Sequence, residues 1–325
     1  MRSFRRRLLV FEWLTGGGCW LDCVDPNECS SLLRQGRQML QSVASDFDRA
    51  GFEVVALVDS RIEIEFPTQQ IQVCRHDHLQ PCLKQECQSS DLMLIIAPES
   101  GNRLMACLKW LQPWRDRLLN PSIEFTSLAA NKNRLQEFLR RSQVPVPKGV
   151  SAELWTREFG DADPGKSWIV KPFDGCGGEG NFLVTTKQFL KREFREYRNS
   201  LFRVEEFVDG VSTSVAVASG HQGEMKIFEP VRQYFDDFPI GLFSHCEKEI
   251  SDELANRALE LVGKTLTKLP PCHGFFGLDL ILGDEDFVLE INPRITCSYD
   301  LLGGVADWFD ENFEPTDVAS KLRRP

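Results

Sequence analysis

Apolar positions recur along this 325-residue chain with two different periods, and each change of period marks an element. Leu8-Leu9-Val10-Phe11 predicts a first strand, closed by Thr15-Gly16-Gly17-Gly18. Leu32, Leu33, Gly36, Met39, Leu40, Val43 and Phe47 then fall on one helical face, with Gly51 as its cap. Residues 52–58 and 71–75 predict two further strands. Residues 91–97 are apolar almost throughout, as expected of a central parallel strand covered on both faces. This first stretch of about 120 residues therefore reads as a β-α-β-α-β unit. Ligands of such sheets sit at the carboxyl ends of the strands, which places Gly16, Gly17, Gly18 and Pro98-Glu99-Ser100 in a candidate crevice, with a purely structural loop as the alternative.

Beyond it, residues 127–142 have a helical pattern that Val144-Pro145-Val146-Pro147 ends. Residues 168–172 predict a strand, 174–181 a loop, 182–186 a return strand and 187–199 a charged helix. Residues 201–208 and 212–218 predict a strand pair about Asp209-Gly210, and 251–268 a helix. Two alternating runs then flank Gly283-Asp284-Glu285-Asp286, the turn chemistry of an antiparallel hairpin. A turn centred on Asp284 and Glu285 sets Leu282 against Phe287 and Asp279 against Glu290. Alternation puts Glu290 and Asn292 on the face of Asp279, and Leu278, Leu280, Leu282, Phe287, Leu289 and Ile291 on the other. Opposed carboxylates destabilise a ladder unless a cation lies between them. Two carboxylates and an amide oxygen suit Mg²⁺, which takes one or two carboxylates and completes its shell with phosphate and water. The competing reading is a solvated face carrying chance acids.

Composition narrows the function classes. A net charge of −10, with no basic run beyond Arg2, Arg5, Arg6 and Arg7, argues against a nucleic-acid partner. No apolar run approaches membrane-spanning length. Glu12 cuts Leu8-Leu9-Val10-Phe11 short of an export signal, so the eleven cysteines are expected as reduced thiols in a cytoplasm. Cys74, His76, His78, Cys82 and Cys87 match no zinc spacing, and His245 and His273 have no recognisable partner.

Gly175-Cys176-Gly177-Gly178-Glu179-Gly180 has the form G-x-G-x-x-G, but the β-type run that follows excludes a dinucleotide fingerprint. Asn181 and Phe182 stand where a P-loop needs Lys and Ser or Thr, and the kinase tripeptides H-R-D and D-F-G do not occur. What remains is a glycine hairpin whose bare backbone can approach phosphate, with Lys171 at the end of the preceding strand; a flexible turn beside a surface lysine is the alternative.

The order Val170-Lys171-Pro172, glycine hairpin, Val204-Glu205-Glu206-Phe207-Val208, Gly277-Leu278-Asp279 and Leu289-Glu290-Ile291-Asn292-Pro293-Arg294 resembles the ATP-grasp superfamily of carboxylate–amine ligases over residues 122–300. Ala130-Asn131-Lys132 and Gln143-Val144-Pro145-Val146-Pro147 are also similar to the start of that family's nucleotide domain. The resemblance implies an α/β and α+β protein: a Rossmann-like parallel domain at 1–121, then an ATP-grasp fold at 122–325 whose two α+β subdomains clasp ATP, with a lid at about 146–207. It implies that Lys132 and Lys171 contact the ATP phosphates and that Gly175, Gly177, Gly178 and Gly180 close over them. Glu205, Glu206, Phe207 and Val208 would line the adenine pocket, largely through backbone groups. Asp279, Glu290 and Asn292 would hold Mg²⁺, or Mn²⁺ in its place. Lys171 and Arg294 would be the catalytic residues, Arg294 meeting the transferred phosphoryl group or the acid. Only Asp209 and the hydroxyls of Ser212, Thr213 and Ser214 are offered to a ribose.

The implied activity passes through an acyl phosphate, with a small acid and a small amine as substrates, neither membrane nor nucleic acid as partner, and a homodimer left open. Within the superfamily, the short first domain, Gly16-Gly17-Gly18 and Ala97-Pro98-Glu99 look most like tyramine–glutamate ligases of methanofuran biosynthesis. On that resemblance Arg294 and Arg232 are candidate cations for the acid, Glu99 a candidate partner for an ammonium, and Trp13, Gly16, Gly17, Gly18 and Trp20 a candidate amine slot, with surface ion pairs and core aromatics as the alternative for each. The alternatives are another ligase or carboxylase of the superfamily, or a non-catalytic nucleotide-binding module.

Overall fold

The computed structural model describes residues 5–64, 68–236 and 241–313. A parallel sheet opens the chain, with β1 (Arg7–Glu12), β2 (Glu53–Asp59), β3 (Gln69–Val73) and β4 (Leu92–Ile96) in the order β3-β2-β1-β4. Leu8, Leu9, Val10 and Phe11 are fully buried because β1 has a strand on each side. The apolar run at 91–97 was expected to be central, yet β4 ends the strand order. Its five residues are nevertheless buried. Its outer edge is covered by the segment around Leu118: Leu119 N–H donates to Met93 O at 2.8 Å, and the Asn120 side chain pairs with both backbone groups of Ile95 at 2.8 and 2.7 Å. A continuous apolar run reports burial of both faces, and a loop with a side-chain amide provides that cover as well as a strand would.

Helix Ser30–Arg49 packs on this sheet through Leu33, Leu40, Val43, Ala44 and Phe47. The same core extends to Ala216, Phe275 and helix Val305–Asn312, so the parallel sheet is not sealed off from the rest of the chain. Where one helix was expected over 127–142 there are two, Ile123–Ala129 and Lys132–Arg141. Asn131 interrupts them because its side chain accepts from Arg134 N–H as an N-cap, which sets Lys132 in the first turn of the second helix.

A small antiparallel sheet follows, β5 (Gly149–Ser151), β6 (Ser167–Pro172), β7 (Phe182–Thr185) and β8 (Phe202–Glu206), in the order β5-β8-β6-β7. Trp155, Trp168 and Phe189 form its core edge to face, with centroids 5.4 and 4.9 Å apart. The charged helix expected at 187–199 is instead a short helix, Thr186–Phe189, and a 3-10 turn, Arg192–Tyr197. Phe194 and Tyr197 dock on Phe182, and Arg198 ties off the carbonyls of Phe189 and Lys191, which a continuous helix would not allow.

The third sheet contains β9 (Val211–Ser219), β10 (Met225–Ile227), β11 (Val231–Phe235), β12 (Phe243–Glu247), β13 (Gly274–Leu282) and β14 (Asp286–Asn292). Its order is β12-β11-β9-β13-β14, with β10 beside β9. The pair expected about Asp209-Gly210 does not form: β8 belongs to the small sheet and β9 to this one, so the chain crosses between sheets there. In the hairpin Asp279 lies opposite Glu290 as expected, but Leu282 faces Asp286 and Ile281 faces Phe287. A bulge beyond Asp279 absorbs the difference. Val288 thereby joins Leu278, Leu280, Leu282 and Ile291 in the core, while Leu289 turns to the cavity described below, and the core position expected of Phe287 goes to Val288. Helix Asp252–Leu266, capped by Ser251, covers this core with Ala258, Leu261 and Val262. No helix among the described residues is long and apolar enough to cross a membrane.

Candidate active site

Between the small sheet, the third sheet and the carboxyl ends of the parallel strands lies a cavity of about 410 Å³. Lys132, Lys171, Gly175, Gly177, Gly178, Glu205, Glu206, Phe207, Val208, Asp279, Glu290, Asn292 and Arg294 all line it. Gly180 does not; it packs on Pro172, where a Cβ would come within 2.9 Å of the ring, at φ +74°.

The floor is the β13–β14 ladder. Asn292 donates its amide to Asp279 at 2.8 Å, and Gln233, reaching across from β11, donates to the other carboxylate oxygen at 3.2 Å. Removal from bulk water and the neighbouring Glu290 charge push Asp279 up to about 7. Burial works to raise Glu290 as well, but Lys132 and Lys171 outweigh it and hold that carboxyl at about 2. Glu290 is therefore ionised at neutral pH, and Asp279 is the member of the pair that gains or loses a proton there.

Each cation of the site is held by one carboxylate. Lys132 Nζ is 2.7 Å from Glu290 and donates to the Gly175 carbonyl at 2.6 Å, tying the first turn of its helix to the glycine loop. Lys171 is bonded to Glu205, whose other oxygen accepts from Arg203 at 2.9 Å; all three are almost fully buried. Burial lowers the Lys171 pKa despite Glu205, while Lys171 and Arg203 keep Glu205 below its usual range against the effect of burial. Arg294 meets Glu99 at 3.0 Å. Glu99 was expected to be available to an ammonium; its pairing with Arg294 corrects that.

The glycine loop lies against neighbouring chain. Phe243 N–H donates to Gly177 O at 3.0 Å, and Asp174 accepts from Gly101 N–H at 3.0 Å, joining the loop to the end of the parallel sheet. Gly177 and Gly178 have φ of +62° and +80°. A Cβ on Gly178 would come within 2.6 Å of Gly241 O, whereas one on Gly177 would meet nothing within 4 Å. Gly178→Val should therefore be the more damaging change, raising the KM for ATP about tenfold or more because the loop can no longer take its shape. Steady-state kinetics of the two variants will check the order.

Other expectations are corrected. Arg232 is exposed and lies over Tyr234 at 4.9 Å; its neighbour Gln233 faces the cavity instead, as strand alternation requires. Gly16, Gly17 and Gly18 do not line the cavity. They allow close packing, since a Cβ on Gly18 would lie 2.3 Å from the Trp13 ring and one on Gly16 2.5 Å from Glu12 O. Trp13 lines the cavity, while Trp20 lies under Arg61 at 3.7 Å. Ser212 and Ser214 line it and Asp209 does not. Backbone N–H groups of Glu206 and Phe207 are already bonded to Lys148 O and Ser167 O. His273 lies tilted against His221 at 4.5 Å and His245 stacks on Tyr234 at 4.8 Å, so neither is alone. All eleven cysteines are free, and among the described residues no three His, Cys, Asp or Glu side chains are grouped to hold a metal. Arg203 and Gln233 are polar groups that sequence reasoning missed, as are Asp22 and Arg103 on the cavity wall; for the first two, positions inside alternating strands were the available signal.

With this geometry in hand, the ATP-grasp domain family matches residues 129–298, just over half of the chain. The chain belongs to the ATP-grasp family. It is 27% identical over 315 residues to the tyramine–L-glutamate ligase of Methanocaldococcus fervens, covering 90% of this chain and 87% of that one. To the protein of the same name from Methanocaldococcus jannaschii it is 25% identical over 301 residues, covering 90% and 83%. Among solved structures, an ATP-grasp superfamily protein from Archaeoglobus fulgidus superposes with a TM-score of 0.71 at 21% identity, covering 96% of this chain and 90% of that one. This ATP-grasp protein is an ATP-dependent ligase that joins a carboxylate to an amine.

Proposed function

We propose that this ligase joins the side-chain carboxylate of L-glutamate to tyramine, with release of ADP and phosphate. The observation that carries the chemistry is the convergence of Lys132, Lys171 and Arg294 with the Asp279–Glu290 pair on one cavity under a glycine loop. The substrates follow from two relatives of that name that align along most of the chain. In this reading residues 1–121 and 122–325 are the two units and 146–207 the lid.

The donor set fits Mg²⁺. Two carboxylates opposed across a ladder call for a cation between them, and Asn292, which donates one amide hydrogen to Asp279, keeps its oxygen for one. Asp279, Glu290 and Asn292 would hold the ion, which supplies charge neutralisation to the phosphates. Lys132 and Lys171 would bind the phosphates, and Arg294 would neutralise charge on the transferred phosphoryl group. Glu206, Phe207 and Val208 would flank the adenine.

The carboxylate oxygen attacks the γ-phosphorus and ADP leaves. The amine nitrogen then adds to the acyl carbon, the bond from that carbon to the phosphate oxygen breaks, and the amine's proton passes to the departing phosphate. Such transfer depends on positioning and charge neutralisation, which these residues supply. A closed glycine loop keeps water from the acyl phosphate.

The test mixes enzyme, Mg-ATP, L-glutamate and tyramine, and follows ADP together with an amide of the summed mass less water. ADP that appears equally without tyramine, or only with a different amine, would overturn these substrates.

A further inference from the structure

The cavity extends past the phosphate-binding groups into a lobe built by the N-terminal unit. Trp13 and Leu14, just past β1, and Leu32 and Met39 from helix Ser30–Arg49 give it an apolar wall, with Glu12 and Gln35 from the same two segments also lining the cavity. Leu32 and Met39 are seven residues apart and share one stripe of that helix, while Leu33 and Leu40 beside them enter the core. Met39 also belongs to that core, so Leu32 is the residue of the stripe that the core does not account for.

Trp13 is fixed in place. Its indole N–H donates to Asp22 Oδ2 at 3.0 Å, and its ring packs on Gly18. Arg103 Nε donates to the same Asp22 oxygen at 2.9 Å, and Arg103 Nη1 donates to Ser100 O at 2.9 Å. Asp22 Oδ1 and Arg103 Nη2 make no hydrogen bond among the described residues, so the wall presents one acceptor and one donor side by side.

We infer that this lobe is the slot for the amine substrate, an aromatic amine whose ring carries a hydroxyl read by Asp22 and Arg103. The inference rests on the ligase reading above and adds to it the residues that select the amine. A phenol both donates and accepts, which matches an adjacent carboxylate oxygen and guanidinium N–H. Apolar walls favour a ring over an amino acid with a short polar side chain, because burying a ring is where such walls gain most.

The full-length enzyme with Mg-ATP and L-glutamate will test this with three nucleophiles: tyramine, phenethylamine and hydroxylamine. The wild type should prefer tyramine to phenethylamine by roughly 100-fold in kcat/KM, as a site that hydrogen-bonds a hydroxyl rejects the analogue lacking it. Asp22→Asn should lower kcat/KM for tyramine, bring the two ring amines within about threefold of each other, and leave the KM for L-glutamate unchanged. Leu32→Trp, which fills the lobe, should lose tyramine activity about 100-fold while glutamyl hydroxamate formation from hydroxylamine stays within about threefold. A raised KM for L-glutamate with the amine preference intact would assign the lobe to the acid and overturn the inference. If Leu32→Trp does not fold, Asp22→Asn decides alone. A wild type that makes no hydroxamate and no amide refutes the ligase reading of L-glutamate itself, and the inference falls with it.

Discussion

Glu290→Gln is expected to reduce ATP turnover by roughly 10³-fold while the protein stays folded. Glu290 is placed by a strand register, faces Asp279 and holds Lys132 at 2.7 Å, so its carboxylate serves the cavity rather than the core. A carboxamide oxygen can still accept from Lys132, which preserves the contact without the charge that balances a divalent cation. Glu290→Ala should be at least as inactive and less stable, because Lys132 is nine-tenths buried and would keep only the Gly175 carbonyl. Kinetics of ADP release beside thermal melts separates loss of chemistry from loss of fold. EDTA should stop the wild type, and added Mg²⁺ or Mn²⁺ should restore it. Undiminished turnover in EDTA would rule out the metal assignment.

Lys171→Met should cost about 100-fold in kcat, more than Lys132→Met, whose effect should fall mainly on the KM for ATP. The reason lies in what each change leaves behind. Lys171 shares Glu205 with Arg203, so its removal leaves a neutral buried pair and an intact small sheet. The lost charge is then the surplus one available to a transferring phosphoryl group. Lys132 is paired with Glu290 alone among the carboxylates, and its loss leaves the acid pair more negative and a cation there more strongly held. Parallel measurements of kcat and KM on both variants check the split; equal, negligible effects would return both lysines to a structural role.

How much of this was legible before folding depends on the distance over which each feature is set. The Asp279–Glu290 opposition followed from a turn and a two-residue period, both local, and it survived a bulge that shifted the pairs nearer the turn. The glycine hairpin and its lysine were legible for the same reason, whereas periodicity did not reveal the break at Asn131 before Lys132's helix, because the apolar pattern runs through it. Residues 201–218 failed as a hairpin because alternation predicts strands but not which sheet each strand joins.

The sequence by itself determined the elements that rest on short-range periodicity and turn chemistry, and with them the order of lysine, glycine loop, acid pair and arginine along the chain. Tertiary structure alone decided the pairings: Arg294 with Glu99, 195 residues earlier, Gln233 with Asp279, and Asp22 with Arg103. An ion pair carries no local signature, since a charged side chain is compatible with solvent at nearly every position. Which charges leave water, and against which partners, is fixed only when strand order and crossovers bring distant segments to one cavity.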